Sequence, residues 1–286
     1  MNLTDLPPLP RLIERLVQLL NHPADARLVC ITARCEHGVK SVDIERPTLA
    51  LVLRGAKQVQ AGAKAEALRA GDLLAMAPGA RLDVVNRPDA ADGRYLTLAI
   101  PLCDEVLAAA RLLWVGPLRP GGMDFARLCG NTLLDELGAL ADAVAADDEA
   151  RARLAVLNLL MQVARQGFSD LLLPRAPSLA AQVRQLVAQA PARDWRSADF
   201  ELALAMSGAT LRRRLAEEGT PLRELIVRAR LACALDLLYT TRSPVKTIAH
   251  RVGYQSVESF ARRFRERYGL DASAIGNAVA DVAVSG

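Results

Sequence analysis

The stretch from Ser243 to Gly269, SPVKTIAHRVGYQSVESFARRFRERYG, restricts the fold of this chain more than any other segment. Ser243 can accept from the unpaired amides of a helix start, and Pro244 suits the first helical position, where no amide donor is required. Val245, Ile248, Ala249 and Val252 then recur at helical spacing, so one stripe of this first helix is buried. Gly253 follows, where the chain can turn through backbone angles that other residues resist. Ser256 starts a second helix whose apolar stripe is Val257, Phe260, Ala261 and Phe264, with Glu258, Ser259, Arg262, Arg263 and Arg265 on the opposite face. A short helix with two such faces can pack by one side and read a nucleic-acid groove with the other.

The run Ile248-Ala249, Val252-Gly253-Tyr254, Ser256, Phe260, Arg263-Phe264 and Gly269 resembles the second helix-turn-helix of the AraC/XylS family of bacterial transcription regulators. The likeness weakens after the glycine: the family usually continues Pro, Ser, Tyr-Arg, and this chain has Ala272, Ser273, Ile275 and Gly276. A first motif resembling the family's lies upstream. Phe200, Leu202, Ala203 and Leu204 precede Met206-Ser207, and Thr210-Leu211-Arg212-Arg213-Arg214-Leu215 lead to Gly219. It departs from the family at Glu201 and Ala205, where a small residue and a glycine are common. An arginine triplet alone reads as a solvated helix face; two motifs in the right order favour a reader of DNA.

Between the motifs, Thr220-Pro221 supplies another cap and first-turn proline. Leu222, Leu225, Ile226, Ala229, Ala232, Cys233 and Leu237 predict one buried stripe, continuing to about Tyr239. A helix of this length, about 1.5 Å per residue, is a rod of roughly 28 Å, of the order of one DNA turn. The family resemblance implies that such a rod sets two reading helices in successive major grooves.

Charge is distributed to match. Of 36 Lys and Arg and 32 Asp and Glu, 17 and 11 fall from Arg175 onward, net +6, leaving 19 and 21, net −2, before it. A basic segment against a slightly acidic remainder is what a phosphate-binding domain produces. The expected duplex contacts are Arg212, Arg213, Arg262 and Arg265, with Ser207 and Thr210 from the first motif and Gln255, Ser256, Glu258 and Ser259 at or beside the second groove. Phosphate contacts give affinity and base edges give sequence preference.

The chain's 286 residues, 51% of them hydrophobic, allow two cores. A hinge is expected at Leu173-Pro174-Arg175-Ala176-Pro177-Ser178, separating residues 1–173 from a domain over 178–286. The opening MNLTDLPPLPRLIERLVQLL carries acids and prolines rather than a signal-peptide pattern, and no apolar run approaches eighteen residues, so a cytoplasmic chain without a membrane span is expected. An amphipathic helix from Leu9 to Leu20 stops at Asn21-His22-Pro23. Short β-like segments follow: Leu28 to Ile31, Thr48 to Leu53, Leu73 to Met76, Leu82 to Val85 and Tyr95 to Ile100, with turn residues between them. This predicts a small barrel or jelly roll. The run Pro47 to Gly55 with Lys57, then Ala70 to Leu74, resembles the cupin-type N-terminal domain of one AraC-family branch. The fold class expected is therefore α+β: a cupin-like β-barrel with flanking helices, a helical connector over about 102–173, and an all-α domain with two helix-turn-helix motifs joined by a long helix.

Metal-dependent cupins converge several histidines with a carboxylate, and this chain has only His22, His37 and His250. No catalytic residues, metal or cofactor are expected. A barrel without such ligands can still hold a small-molecule effector or serve structure alone. Leu133, Leu137, Leu140 and Val144 have the spacing of a coiled-coil seam as well as that of ordinary core packing. Cys30, Cys35, Cys103, Cys129 and Cys233 are expected reduced, with Cys30 and Cys35 as a less favoured redox or metal pair. The resemblance implies an activator that binds promoter DNA, contacts RNA polymerase and forms a homodimer through the Leu133 to Val144 helix. Two alternatives stay open: a cupin-type small-molecule enzyme, and a degenerate regulator that binds a protein partner.

Overall fold

A computed structural model describes residues 6–20, 29–118, 121–173 and 178–275. The chain divides into two compact units, Met1–Pro174 and Arg175–Gly286. The helix stop at Asn21-His22-Pro23, Leu28, the hinge prolines and Gly276 lie outside the described residues.

The first unit opens with helix α1 (Pro8–Leu20) and continues through strands β1 (Val29–Ala33), β2 (His37–Asp43), β3 (Thr48–Arg54), β4 (Ala56–Ala61), β5 (Lys64–Arg69), β6 (Asp72–Met76), β7 (Arg81–Arg87) and β8 (Tyr95–Pro101). Helix α2 (Asp104–Leu113), strand β9 (Phe125–Cys129) and helices α3 (Leu134–Ala145) and α4 (Glu149–Arg165) complete it. The strands form two antiparallel sheets, ordered β1-β8-β3-β6-β9 and β2-β7-β4-β5, rather than one closed barrel. β3 reads TLALVLR, with five successive buried residues, because both of its faces are covered. Leu49, Leu51, Leu53, Leu73, Leu98 and Ile100 pack with α1, α3 and α4 in one core. β4 alternates instead, with Lys57 and Val59 buried and Gln58 and Gln60 exposed. It joins β5 through a two-residue turn at Gly62, whose φ of +56° is cheap only for glycine.

Of the two readings of the Leu133 to Val144 spacing, core packing holds and the coiled-coil seam does not. Leu133, Leu137 and Leu140 are 0% exposed, inside the core against Leu159 and Leu160 of α4. They cannot also meet a second chain, because the heptad-like spacing is spent on the α3–α4 pair.

The second unit comprises α5 (Leu179–Gln189), α6 (Ser197–Ala203), α7 (Gly208–Glu217), α8 (Leu222–Thr240), α9 (Val245–Arg251) and α10 (Val257–Tyr268), ending in a 3₁₀ turn, Ala272–Ile275. α8 has 19 residues, the rod expected, but its burial is not one stripe. Leu225, Ala229, Leu231, Ala234, Leu235, Leu238 and Tyr239 are buried, whereas Ala232 is exposed and Cys233 and Leu237 only half-buried. The reason is that α8 packs against α5 and also against α9 and α10, so neighbours cover it on several sides. The prolines also sit one step earlier than expected. Pro221 and Pro244 occupy the N-cap positions of α8 and α9, with extended ψ of 149° and 145°, and neither helix has a side-chain cap. Ser243 therefore does not cap α9.

A candidate nucleic-acid interface

α6–α7 and α9–α10 are two helix-turn-helix motifs built alike. Each first helix ends in the same pair of backbone bonds: Met206 N–H to Glu201 O (3.1 Å) with Ala205 N–H to Leu202 O (3.4 Å), and Tyr254 N–H to Ala249 O (2.9 Å) with Gly253 N–H to His250 O (3.0 Å). That pattern needs one residue in the left-handed region. Gly253 takes it at φ +86° and Ala205 at φ +50°, so the first motif makes the family's turn without the family's glycine. Glu201, the other departure, is accommodated by its neighbour. Its Oε1 accepts from Ser197 Oγ at 2.8 Å, and a Cβ on Gly208 would lie only 2.4 Å from the same oxygen. The carboxylate fills room that Gly208 leaves on α7.

Each second helix is capped by a serine: Ser207 Oγ accepts from Thr210 N–H (3.3 Å) and Ser256 Oγ from Ser259 N–H (3.2 Å). Leu211 and Leu215 of α7 and Phe260, Phe264 and Tyr268 of α10 anchor them. Phe260 sits edge-on to Tyr254 at 5.4 Å and 5.5 Å from Phe264. Burying each of these side chains stabilises the motif by about 1.5–3 kcal/mol. With the serines aligned, Leu211 matches Phe260 and Leu215 matches Phe264. At about 100° per residue, the position most nearly opposite this buried stripe is Arg213 in α7 and Arg262 in α10. Both helices thus present arginine outward at one register.

The ten expected contact residues fall into three groups. Among the described residues, Arg212, Arg262 and Gln255 are exposed with no side-chain hydrogen bond or ion pair, and Glu258 is exposed beside them. Arg213 and Arg265 are exposed but paired, with Glu217 (2.9 Å) and Asp271 (2.9 Å), in surface contacts worth about 0.2–1 kcal/mol and easily exchanged for phosphate. Ser207 and Ser256 spend their hydroxyls on the caps, and Thr210 and Ser259 are half-buried behind them. Sequence reasoning passed over Arg242, Lys246 and Arg251, all exposed and unpaired among the described residues around α9. It also passed over Glu218, whose two carboxylate oxygens accept from the first amides of α5, Leu179 and Ala180, at 2.9 Å each. That charge sits at the positive end of the helix dipole, where an anion is favoured.

The first unit holds a polar cluster between its sheets. Lys57 donates to Asn86 Oδ1 at 2.8 Å and lies 3.4 Å from the Tyr95 hydroxyl, which accepts from Thr97. His37 Nε2 is 3.4 Å from Asn86 Nδ2, and its Nδ1 is 2.9 Å from Cys35 O. Burial pulls the Lys57 ammonium down to about 8, pulls His37 below its ordinary value and pushes the Tyr95 phenol up. His37 is thus a buried hydrogen-bonding group, and no three His, Cys, Asp or Glu side chains among the described residues converge on a metal site. A separate cavity of about 370 Å³ lies where the end of β8 meets α2, α3 and α4, with Ile100, Val106, Leu140, Val144 and Val156 among its walls.

The second unit is a tandem helix-turn-helix domain. Residues 202–277 match the family model of a helix-turn-helix domain, and this is the AraC-type domain that the motifs resembled. An uncharacterized HTH-type transcriptional regulator of Mycobacterium tuberculosis is 45% identical over 67 residues, 23% of this chain and 20% of that one. The urease operon transcriptional activator of Escherichia coli is 33% identical over 91 residues, 32% of this chain and 31% of that one. The chain therefore aligns with about a fifth to a third of these curated relatives' length. An apo variant of ToxT from Vibrio cholerae, with one lysine replaced by alanine, has a TM-score of 0.63 at 16% identity, covering 88% of this chain and 97% of that one. ToxT with an unsaturated fatty acid bound gives 0.61 at 15%, covering 88% and 95%. At such identity the likeness is one of fold.

Proposed function

We propose that this chain is a sequence-specific transcription regulator that binds promoter DNA through α7 and α10 in successive major grooves, with Arg212, Arg213, Arg262, Arg265, Gln255 and Glu258 facing the duplex. The observation that carries this is the matched register: two serine-capped helices, each with arginine opposite its buried stripe, at the two ends of one rod. Arginine pairs most readily with guanine edges or phosphate. The test is to let the full-length chain select fragments from sheared genomic DNA at two salt concentrations. Enrichment of two half-sites about one turn apart, with a steep salt slope, is expected; weak binding without sequence preference refutes it.

The proposal includes an activating role, which the likeness to the urease operon transcriptional activator supports, together with a cytoplasmic location and contact with RNA polymerase. Among the described residues no helix is long and apolar enough to cross a membrane. The first unit is assigned a regulatory role rather than an enzymatic one: the relatives are regulators, and the cavity is lined by aliphatic side chains together with Asp147, Asp148, Glu149 and Arg153. An apolar effector suits that cavity, and a solved protein of the same fold holds an unsaturated fatty acid. A homodimer is retained, but on a new surface: Leu112 and Val115 are 87% and 94% exposed, with Leu113 and Leu154 also open on the packed helices α2 and α4.

A further inference from the structure

We propose that Arg230 is a positioning residue: by clamping the loop before the first motif to the turn of the second, it fixes the spacing and phase of the two reading helices. This rests on the DNA-reading proposal and specifies which half-site separations the chain accepts. Arg230 lies on α8, and its Nε donates to Pro191 O and its Nη2 to Arg193 O, each at 2.9 Å. The loop it holds is wired into the first motif. Trp195 stacks on Phe200 of α6 at 5.0 Å and donates its indole N–H to Ala190 O at 2.9 Å. The Arg193 guanidinium lies 4.6 Å over the Trp195 ring and pairs with Asp199 of α6.

On its other side the same loop abuts the second motif. A Cβ on Gly253 would lie 2.8 Å from Pro191 O, 3.0 Å from Ala192 Cα and 3.0 Å from Arg230 Cζ. Tyr254, next in the turn, leads through its ring to Phe260 of α10. A continuous chain of contacts thus runs from Phe200 to Phe260, and in it Arg230 bonds the loop to the rod twice. α8 sets how far apart the motifs are attached; the clamp stops each from swivelling on its attachment, which would change the spacing and phase of α7 and α10. Only a planar fork can reach both carbonyls together, so lysine cannot replace it.

Two linked readers gain from each other only when the link matches the span between sites, and a stiff link tolerates the least error. One added base pair shifts a half-site by about 3.4 Å and turns it by about 35°. The probes are duplexes that the full-length wild-type chain selects from a random-sequence pool. They are then rebuilt with one to three base pairs inserted or removed between half-sites, and as a single half-site. Wild type should lose about tenfold or more in affinity on a one-base-pair insertion. Arg230→Ala and Arg230→Lys should each lose about tenfold on the parent duplex, bind the single half-site within about twofold of wild type, and lose less than about threefold on insertion. An unchanged spacing profile in both variants overturns the clamp. Full activity in Arg230→Lys overturns the fork argument. Equal losses on single and paired sites would make Arg230 a phosphate contact or a folding residue instead. A wild type that reads half-sites with no spacing preference sinks the clamp and leaves the reader standing; a wild type that selects nothing sinks both.

Discussion

Exchanging the two turn residues should move stability in opposite directions. In Gly253→Ala, alanine in the left-handed region costs about 1–2 kcal/mol. The added methyl would sit 2.8 Å from Pro191 O and 3.0 Å from Ala192 Cα, backbone atoms that cannot swing aside, and such overpacking costs about 1–3 kcal/mol. The stiffer unfolded chain returns about 0.4–1 kcal/mol. The net expectation is a loss of about 2–4 kcal/mol, several times the effect of an ordinary surface change. In Ala205→Gly the strain at φ +50° is relieved, and the unfolded-state term takes part of that back, leaving a gain of about 0.5–1 kcal/mol. Urea unfolding of the full-length chain checks both. A Trp114→Phe background leaves Trp195, stacked on Phe200, as the sole tryptophan, so that its fluorescence follows the second unit. Midpoints that shift in the same direction, or a Gly253→Ala loss under about 0.5 kcal/mol, would refute the left-handed turn as the controlling feature of both motifs.

Lys57→Met tests the buried cation. Because Lys57 titrates near 8 when folded against an ordinary 10.5, the unfolded chain binds the proton more tightly, and Lys57 contributes a rise of about 3 kcal/mol in stability between pH 8 and 10.5, opposed above pH 9 by Cys30, whose thiol is pushed by burial from 9.0 to about 11. His37, lowered in the same sense, should add a loss of stability on acidification through its ordinary 6.5. The Lys57→Met chain should be more stable than wild type at pH 7 and lack the alkaline rise; a parallel pH profile would contradict the assignment. Glu218→Gln removes the charge from the start of α5 and should cost about 1–2 kcal/mol by the same urea assay, a loss absent in Glu217→Gln. Arg213→Ala and Arg262→Ala should each weaken operator binding by about 1–3 kcal/mol and, where phosphate is the partner, lower the salt slope by about one. Fluorescence anisotropy at several salt concentrations reads both, and unchanged affinity in the two variants would favour the protein-partner alternative. Val115→Glu should turn a dimer into a monomer in sedimentation without altering the unfolding midpoint.

The second motif was legible because each of its devices is local: a serine that caps, apolar residues at helical spacing and a glycine where φ is positive. What depended on neighbours was not. The prolines of Thr220-Pro221 and Ser243-Pro244 suit a first helical turn, but extended ψ at Pro221 and Pro244 moves each helix start one residue on. The stripe assigned to α8 assumed one partner, and the helix has several, so Leu231, Ala234 and Leu235 are buried in place of Ala232. β2, β4 and β5 escaped notice because polar and apolar residues alternate along them, as in KQVQ from Lys57 to Gln60, while the mainly apolar β3 and β8 stood out. Lys57 belonged to a recognisable run, yet nothing in its local sequence told that its ammonium lies between two sheets. Arg230 likewise reads as a solvated arginine on a helix until the loop it bonds, about forty residues earlier, is in place.

The reciprocity of Glu201 and Gly208 orders the routes by which the first motif can change. With the carboxylate present, a methyl group at 208 must push the Glu201 side chain off its oxygen contact with Ser197. If Glu201 is first shortened to alanine, the three atoms nearest the same methyl are gone. The two substitutions therefore commute in their end product but not in their path: the step 208-then-201 passes through a chain in which the Glu201 carboxylate must move aside, and 201-then-208 does not. Glu201 and Gly208 are thus tied to each other, although neither residue is placed against the duplex.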